Sequence, residues 1–197
     1  MSNYILRGDV VFSMFREKGP IIRKLLGYQF ASAVMGVLLS SSAAQVKWLN
    51  LLTSIFATVF YCSLIYAAMW ELGAKDRIKA DGGRLAFEPK TGLVCALGAN
   101  IPNLILGLII VIFTAIAIPT QMEWAGNVVA VVAPIARLWQ GMYNGIIVYL
   151  VPLGLKGGAA IFSTLIYIAI TLPAFAVCFF AYLMGFKNKK IFRFGTK

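Results

Sequence analysis

Long apolar stretches alternate with short polar ones along the whole chain, and the alternation predicts membrane-spanning helices. Residues at about 21–44, 48–70, 91–118 and 158–184 each supply the roughly 20 predominantly apolar positions that cross a hydrocarbon core. Trp48 and Trp70 bracket the second stretch, as tryptophans do at the two membrane interfaces. A fifth apolar stretch, 128–152, differs from the others: it holds Pro134 and Pro152, a mid-stretch Arg137, and an exit at Gly154. Residues 71–90 (ELGAKDRIKADGGRLAFEPK) predict a polar loop with a turn at Gly82–Gly83, and TQMEWAGN after Pro119 predicts a second polar connection without Lys or Arg. At the start, the helical spacing of Tyr4, Val11, Phe12 and Phe15 against Asp9, Ser13 and Arg16 predicts an interfacial amphipathic helix over 2–18. Gly19-Pro20 ends it and opens the first span, since proline is tolerated in a first helical turn.

Charge turns this pattern into a topology. All of the 18 Lys and Arg residues except Lys47, Arg137 and Lys156 fall in three blocks: the N-terminal segment, the 71–90 loop and a basic tail at 185–197. Basic residues collect on the cytoplasmic side of membrane spans. If all three blocks lie there, an even number of crossings separates the loop from the tail. Three apolar stretches occupy that interval, so one does not cross, and 128–152 is the one with breakers and a charge. The expected fold is therefore all-α: a polytopic membrane helix bundle of four full spans plus a re-entrant or interfacial helical segment at about 128–152, in a single membrane domain over 1–197. Five ordinary spans, with the tail on the opposite side, are the alternative.

Composition supports the class and excludes several chemistries. Hydrophobic residues make up 60% of the 197 positions, against about 45–50% in soluble domains. The net charge of +11 is accordingly read as topogenic, with anionic headgroups of the lipid bilayer as the partner and no nucleic acid. Cys62, Cys95 and Cys178 sit in apolar runs, an odd and widely spaced set that makes no disulfide framework. The chain has no histidine, and no Asp or Glu falls inside an expected span, which removes His-based triads and metal sites. No catalytic residue, metal site or cofactor is expected, nor an enzyme.

The candidate chemistry is a polar set at membrane depth. On one continuous helix Arg137, Gln140, Gly141, Asn144 and Gly145 share a side. A charge there costs about 2.5–3.5 kcal/mol on insertion scales, so it is turned to an interior, a cavity or the headgroups. Asn100 and Asn103 lie one turn apart around Pro102 and could face that stripe. Arg137, Gln140, Asn144, Asn100 and Asn103 form the expected ligand site, with Arg137 holding the anionic group of a small molecule or lipid. On the first span, Ser32, Gly36 and Ser40 form a small-residue ladder suited to close helix packing or to a partner. In length and helical density the chain resembles the small substrate-binding subunits of bacterial vitamin transporters, a likeness of size and class that assigns no residue. The functional expectation is a transport-type or ligand-binding membrane subunit. The alternative is an accessory subunit of a larger membrane complex, docking through the ladder or residues 71–90, and third comes a lipid-modifying enzyme. The expected location is a bacterial inner membrane, with both termini cytoplasmic.

Overall fold

The computed structural model describes residues 15–84, 88–151 and 157–189. Nearly all of the interfacial helix expected at 2–18, and the end of the basic tail from 190, lie outside them. Every element among the described residues is helical: α1 (Gly19–Ser42), α2 (Lys47–Asp81), α3 (Thr91–Thr120), α4 (Glu123–Trp139), a 3-10 turn (Gly141–Tyr143), α5 (Asn144–Leu150), α6 (Gly158–Thr164), α7 (Ile166–Ala169) and α8 (Leu172–Phe186). α1, α2, α3 and the α6–α8 run are long and apolar enough to cross a membrane. Large apolar side chains are exposed on them, Phe30 and Leu38 on α1, Phe56 and Val59 on α2, Ile105 and Ile112 on α3. Meanwhile Gln29, Asn50, Asn100 and Asn103 are buried. Apolar outside and polar inside is the arrangement that a hydrocarbon solvent selects.

Contacts group the chain into two compact units, one of Met1–Leu26, Cys62–Ala99 and Pro173–Lys197, the other of Gly27–Tyr61 and Asn100–Leu172. In the first, glycines bring backbones together: Gly73 meets the Tyr182 carbonyl, Gly185 meets Trp70, and Gly92 meets Cys178 and Phe179. Ile22 lies against Gly98, so α1 and α3 start from the same end.

The polar loop expected at 71–90 is shorter than its composition suggested, because α2 runs on to Asp81. Nothing in ELGAKDRIKAD breaks a helix, and Glu71–Lys75 and Arg77–Asp81 are i,i+4 ion pairs. Gly83, at φ +69°, then closes it: Gly83 N donates to Ala80 O and Arg84 N to Lys79 O, satisfying the last carbonyls. The same device ends α8 at Asn188, φ +53°, with Asn188 N on Gly185 O and Lys189 N on Met184 O.

In the second unit, the polar stretch TQMEWAGN is not a loop throughout, since α4 starts at Glu123, whose carboxylate suits a helix N-terminus. α4 runs back along α3, with Trp124 edge-on to Phe113 at 5.8 Å and Ile135 lining the same groove as Leu106. The helix stops at Trp139. From there the chain runs parallel to α1 and reverses: Gly141 lies on Ala33, Met142 on Gly36, Asn144 bonds Ser40, and Gly145 lies on Asn50 at the start of α2. α4 and α5 thus form a re-entrant hairpin that enters and leaves at the end where α1 finishes. Its 17-residue descending arm is about 26 Å long, short of a crossing.

Candidate functional site

The hairpin is held at two levels in the second unit. Near its exit, Ser40 Oγ donates to Asn50 Oδ1 and accepts from Asn144 Nδ2, both at 2.8 Å, while Gly145 N donates to Ser54 Oγ at 2.6 Å. At its apex the partner is Tyr167. Arg137 Nε donates to the Tyr167 hydroxyl at 3.2 Å, and Gln140 Nε2 donates to the Tyr167 carbonyl at 3.1 Å. That carbonyl is available for a reason written in the sequence. Pro173 has no N–H for the Ala169 carbonyl, and the last span breaks just before it. Thr171 N consequently turns to Ile168 O, leaving Tyr167 O to the glutamine.

Tyr167 and Ile168 pack against Gly107, roughly 13 residues or about 20 Å from the end of α3 at Thr120. The apex is therefore deep in the bilayer. Its non-helical backbone is tolerated there because Gln140, Gly141, Met142 and Tyr143 are all buried in protein. Four buried side-chain oxygens among the described residues of this unit have no hydrogen-bond partner: Gln140 Oε1 at the apex, Ser32 Oγ on α1, Thr58 Oγ1 on α2 and Thr114 Oγ1 on α3.

The expected stripe is divided by this turn. Arg137 and Gln140 both bond Tyr167 on α7, whereas Asn144, beyond the interruption of the helix, bonds Ser40 on α1. Arg137 is exposed, Gln140 is fully buried and Asn144 is half-buried. Asn100 and Asn103 are buried and bonded to one another, Nδ2 of Asn103 to Oδ1 of Asn100 at 2.9 Å. On α1, Gly36 and Ser40 meet residues 141–144 of the same chain, and Ser32 is buried one turn below.

Arg137 ends a stripe that periodicity from residue 128 onward does not reveal. Glu123, Asn127, Ala130, Pro134 and Arg137 recur at helical spacing and are all exposed. Large apolar residues (Val131, Ile135 and Leu138) occupy the adjoining exposed flank. Among the described residues no carboxylate pairs with Arg137, and the guanidinium commits one of its five N–H donors, Nε–H.

A second polar cluster, in the first unit, was hidden in what read as a loop. Asp76 is 0% exposed and accepts from Lys18 Nζ at 3.1 Å and Tyr182 Oη at 3.2 Å. Burial works against the Lys18 ammonium, but the hydrogen bond and charge of Asp76, with Glu17 behind them, outweigh it and hold the pKa above the ordinary 10.5. A buried pair placed between three chain segments is a clamp on the fold. The three cysteines are free thiols, and no group of His, Cys, Asp or Glu with metal-binding geometry occurs among the described residues. Comparisons with protein-family models, curated proteins and solved structures find no match.

Proposed function

We propose that this multi-pass membrane protein is a transport-type or ligand-binding subunit whose re-entrant hairpin admits a small anion to Arg137. The observation that carries the reading is the exposed stripe from Glu123 to Arg137. A face made for acyl chains would carry Leu, Ile or Phe on every turn, as α3 does with Leu97, Ile101, Ile105, Leu108 and Ile112. This one carries carboxylate, amide, alanine and proline, and stops at an arginine with donors to spare. Wetted from its mouth, it lets an anion reach a guanidinium at bilayer depth, where the planar fork binds carboxylate or phosphate. Pairing of this kind also removes the cost of an isolated charge in hydrocarbon. The oriented N- and C-termini, in this reading, face the bacterial cytoplasm, where the basic residues at the ends of α2 and α8 meet anionic headgroups.

Two measurements test it. Single cysteines at Ala130 and Val131, in a chain lacking its own three, separate a wet stripe from an apolar flank. A membrane-impermeant maleimide is expected to modify Ala130→Cys and leave Val131→Cys unmodified. Trp139, two residues from Arg137, reports ligand directly. Titration of the protein in nanodiscs with inorganic phosphate and short carboxylates should change its emission saturably. Arg137→Gln should abolish the response and Arg137→Lys weaken it roughly tenfold or more, the value of a charge-assisted bond of about 1.5–3 kcal/mol. An Arg137→Gln protein that titrates like the unaltered one ends the anion-site reading.

A further inference from the structure

Beside the hairpin apex, on the flank of α4 away from Tyr167, lies a groove of about 360 Å³ walled by α1, α3 and α4. Its lining is almost entirely apolar: Phe30, Val34 and Leu38 along α1, Leu106 beneath, Leu138 and Trp139 opposite are its main walls. Phe30 and Trp139 close one end as a tilted aromatic pair with ring centroids 6.2 Å apart. Phe30, Val34, Ile135 and Leu138 form exposed rims, so the groove opens sideways along its length.

We propose that this groove is a binding site for one acyl tail of a bilayer phospholipid, seated as a buttress against the hairpin apex. It is independent of the anion reading, because the groove and Arg137 are on different flanks of α4. Three observations select the occupant. The groove flanks membrane-spanning segments of α1 and α3, so the medium at its open side is hydrocarbon. It is a slot for a chain rather than for a helix: a helix with its side chains is about 10–12 Å across, while the α1 and α4 walls come together at Phe30 and Trp139, with ring centroids 6.2 Å apart. Nor does it suit a free fatty acid lying wholly within it, since no cationic side chain lines it and a buried carboxylate without a counter-ion is costly. A phospholipid tail needs no polar contact, its headgroup remaining at the interface. A volume of this size lies within the range of specific ligand pockets.

The seat has a structural consequence. Trp139 is both a wall of the groove and the last residue of α4, immediately before buried Gln140. An occupied groove packs Trp139 on its open side, and an emptied one leaves the apex without those contacts.

The test uses the full chain in vesicles of phosphatidylethanolamine and phosphatidylglycerol doped with a phospholipid whose acyl chain carries a photoactivatable diazirine. Adducts mapped by mass spectrometry should concentrate on Phe30, Val34, Leu38 and Leu138 above the lipid-facing positions Phe56 and Val59. Val34→Trp, which fills the groove from its rim, should reduce the groove adducts several-fold, while Val59→Trp leaves them unchanged. Equal labelling of the groove and of the α2 face, in the unaltered protein alone, means ordinary annular lipid and overturns the proposal. So does full groove labelling in a folded Val34→Trp protein. Should Val34→Trp not fold, Leu138→Trp fills the same space from the opposite wall.

Discussion

Gly36→Leu should detach the hairpin from α1. A Cβ built at Gly36 collides with the main chain of Gly141 and Met142, not with the end of a flexible side chain that could move aside. Overpacking of a filled interior costs typically 1–3 kcal/mol, and backbone against backbone belongs at or above the top of that range. The expected loss is about 3 kcal/mol or more, read by equilibrium unfolding in mixed micelles. Two further glycines make the same contact from the hairpin side: Gly141 against the Ala33 carbonyl and Gly145 against that of Asn50. Alanine at either should therefore destabilise in the same direction. The control is Gly27→Ala in the same helix, where an added Cβ meets nothing within 4 Å. Relief of glycine's entropy there should stabilise the protein by about 0.5–1 kcal/mol. Equal, small effects at Gly36 and Gly27 would mean that the hairpin is not seated on α1.

The second large effect is expected at the other polar cluster. Asp76→Ala leaves the Lys18 ammonium, itself only 8% exposed in its side chain, without its main counter-ion, and leaves Tyr182 Oη without its acceptor. Lys18→Ala leaves the buried carboxylate with the Tyr182 hydroxyl and only the more distant, exposed Lys79, at 3.9 Å, as counter-ion. Removing one member of a buried pair costs about 3–5 kcal/mol because the other remains desolvated and unpaired. Lys18→Met combined with Asp76→Leu should recover most of that loss, since an apolar pair of similar volume carries no charge to strand. The sign of the pH dependence follows from the raised Lys18 pKa. The pair's contribution is fully present below the unfolded value of about 10.5 and is lost as pH rises through the folded one. Through the neutral range Lys18 therefore adds no pH dependence. Two single variants each as stable as the unaltered chain would show the cluster to be solvated.

The four long spans were legible because length and apolarity suffice to define a crossing. The non-crossing segment was legible from charge: basic blocks on both sides of three apolar stretches leave one too many. Arg137 itself stands out as a lone cation between them. Other features depended on what lies across the fold. Residues 71–81 are as polar as a loop, and composition does not separate a solvated helix from a coil. Asp76 is buried only because Lys18, 58 positions away, and Tyr182, 106 away, are brought to it. The stripe from Arg137 to Asn144 assumed an unbroken 3.6-residue period. The break after Trp139 goes with the close fit of Gly141 and Met142 to α1, a tertiary contact that local spacing does not contain. Starting the period at residue 128 also hid Glu123 and Asn127, the upper part of the exposed stripe, because TQMEWAGN read as a polar connection.

The central claim is that residues 123–151 enter and leave on one side of the membrane. The most direct measurement is sidedness of labelling in a chain lacking its three cysteines, with single cysteines at Gln121 and Gly158, which flank the hairpin, and at Glu88 in the connection before α3. All three positions are exposed. A membrane-impermeant maleimide applied to sealed, oriented vesicles should modify Gln121→Cys and Gly158→Cys from the same side, and Glu88→Cys from the other. Modification of Gln121→Cys and Gly158→Cys from opposite sides would make the segment an ordinary crossing and contradict the hairpin.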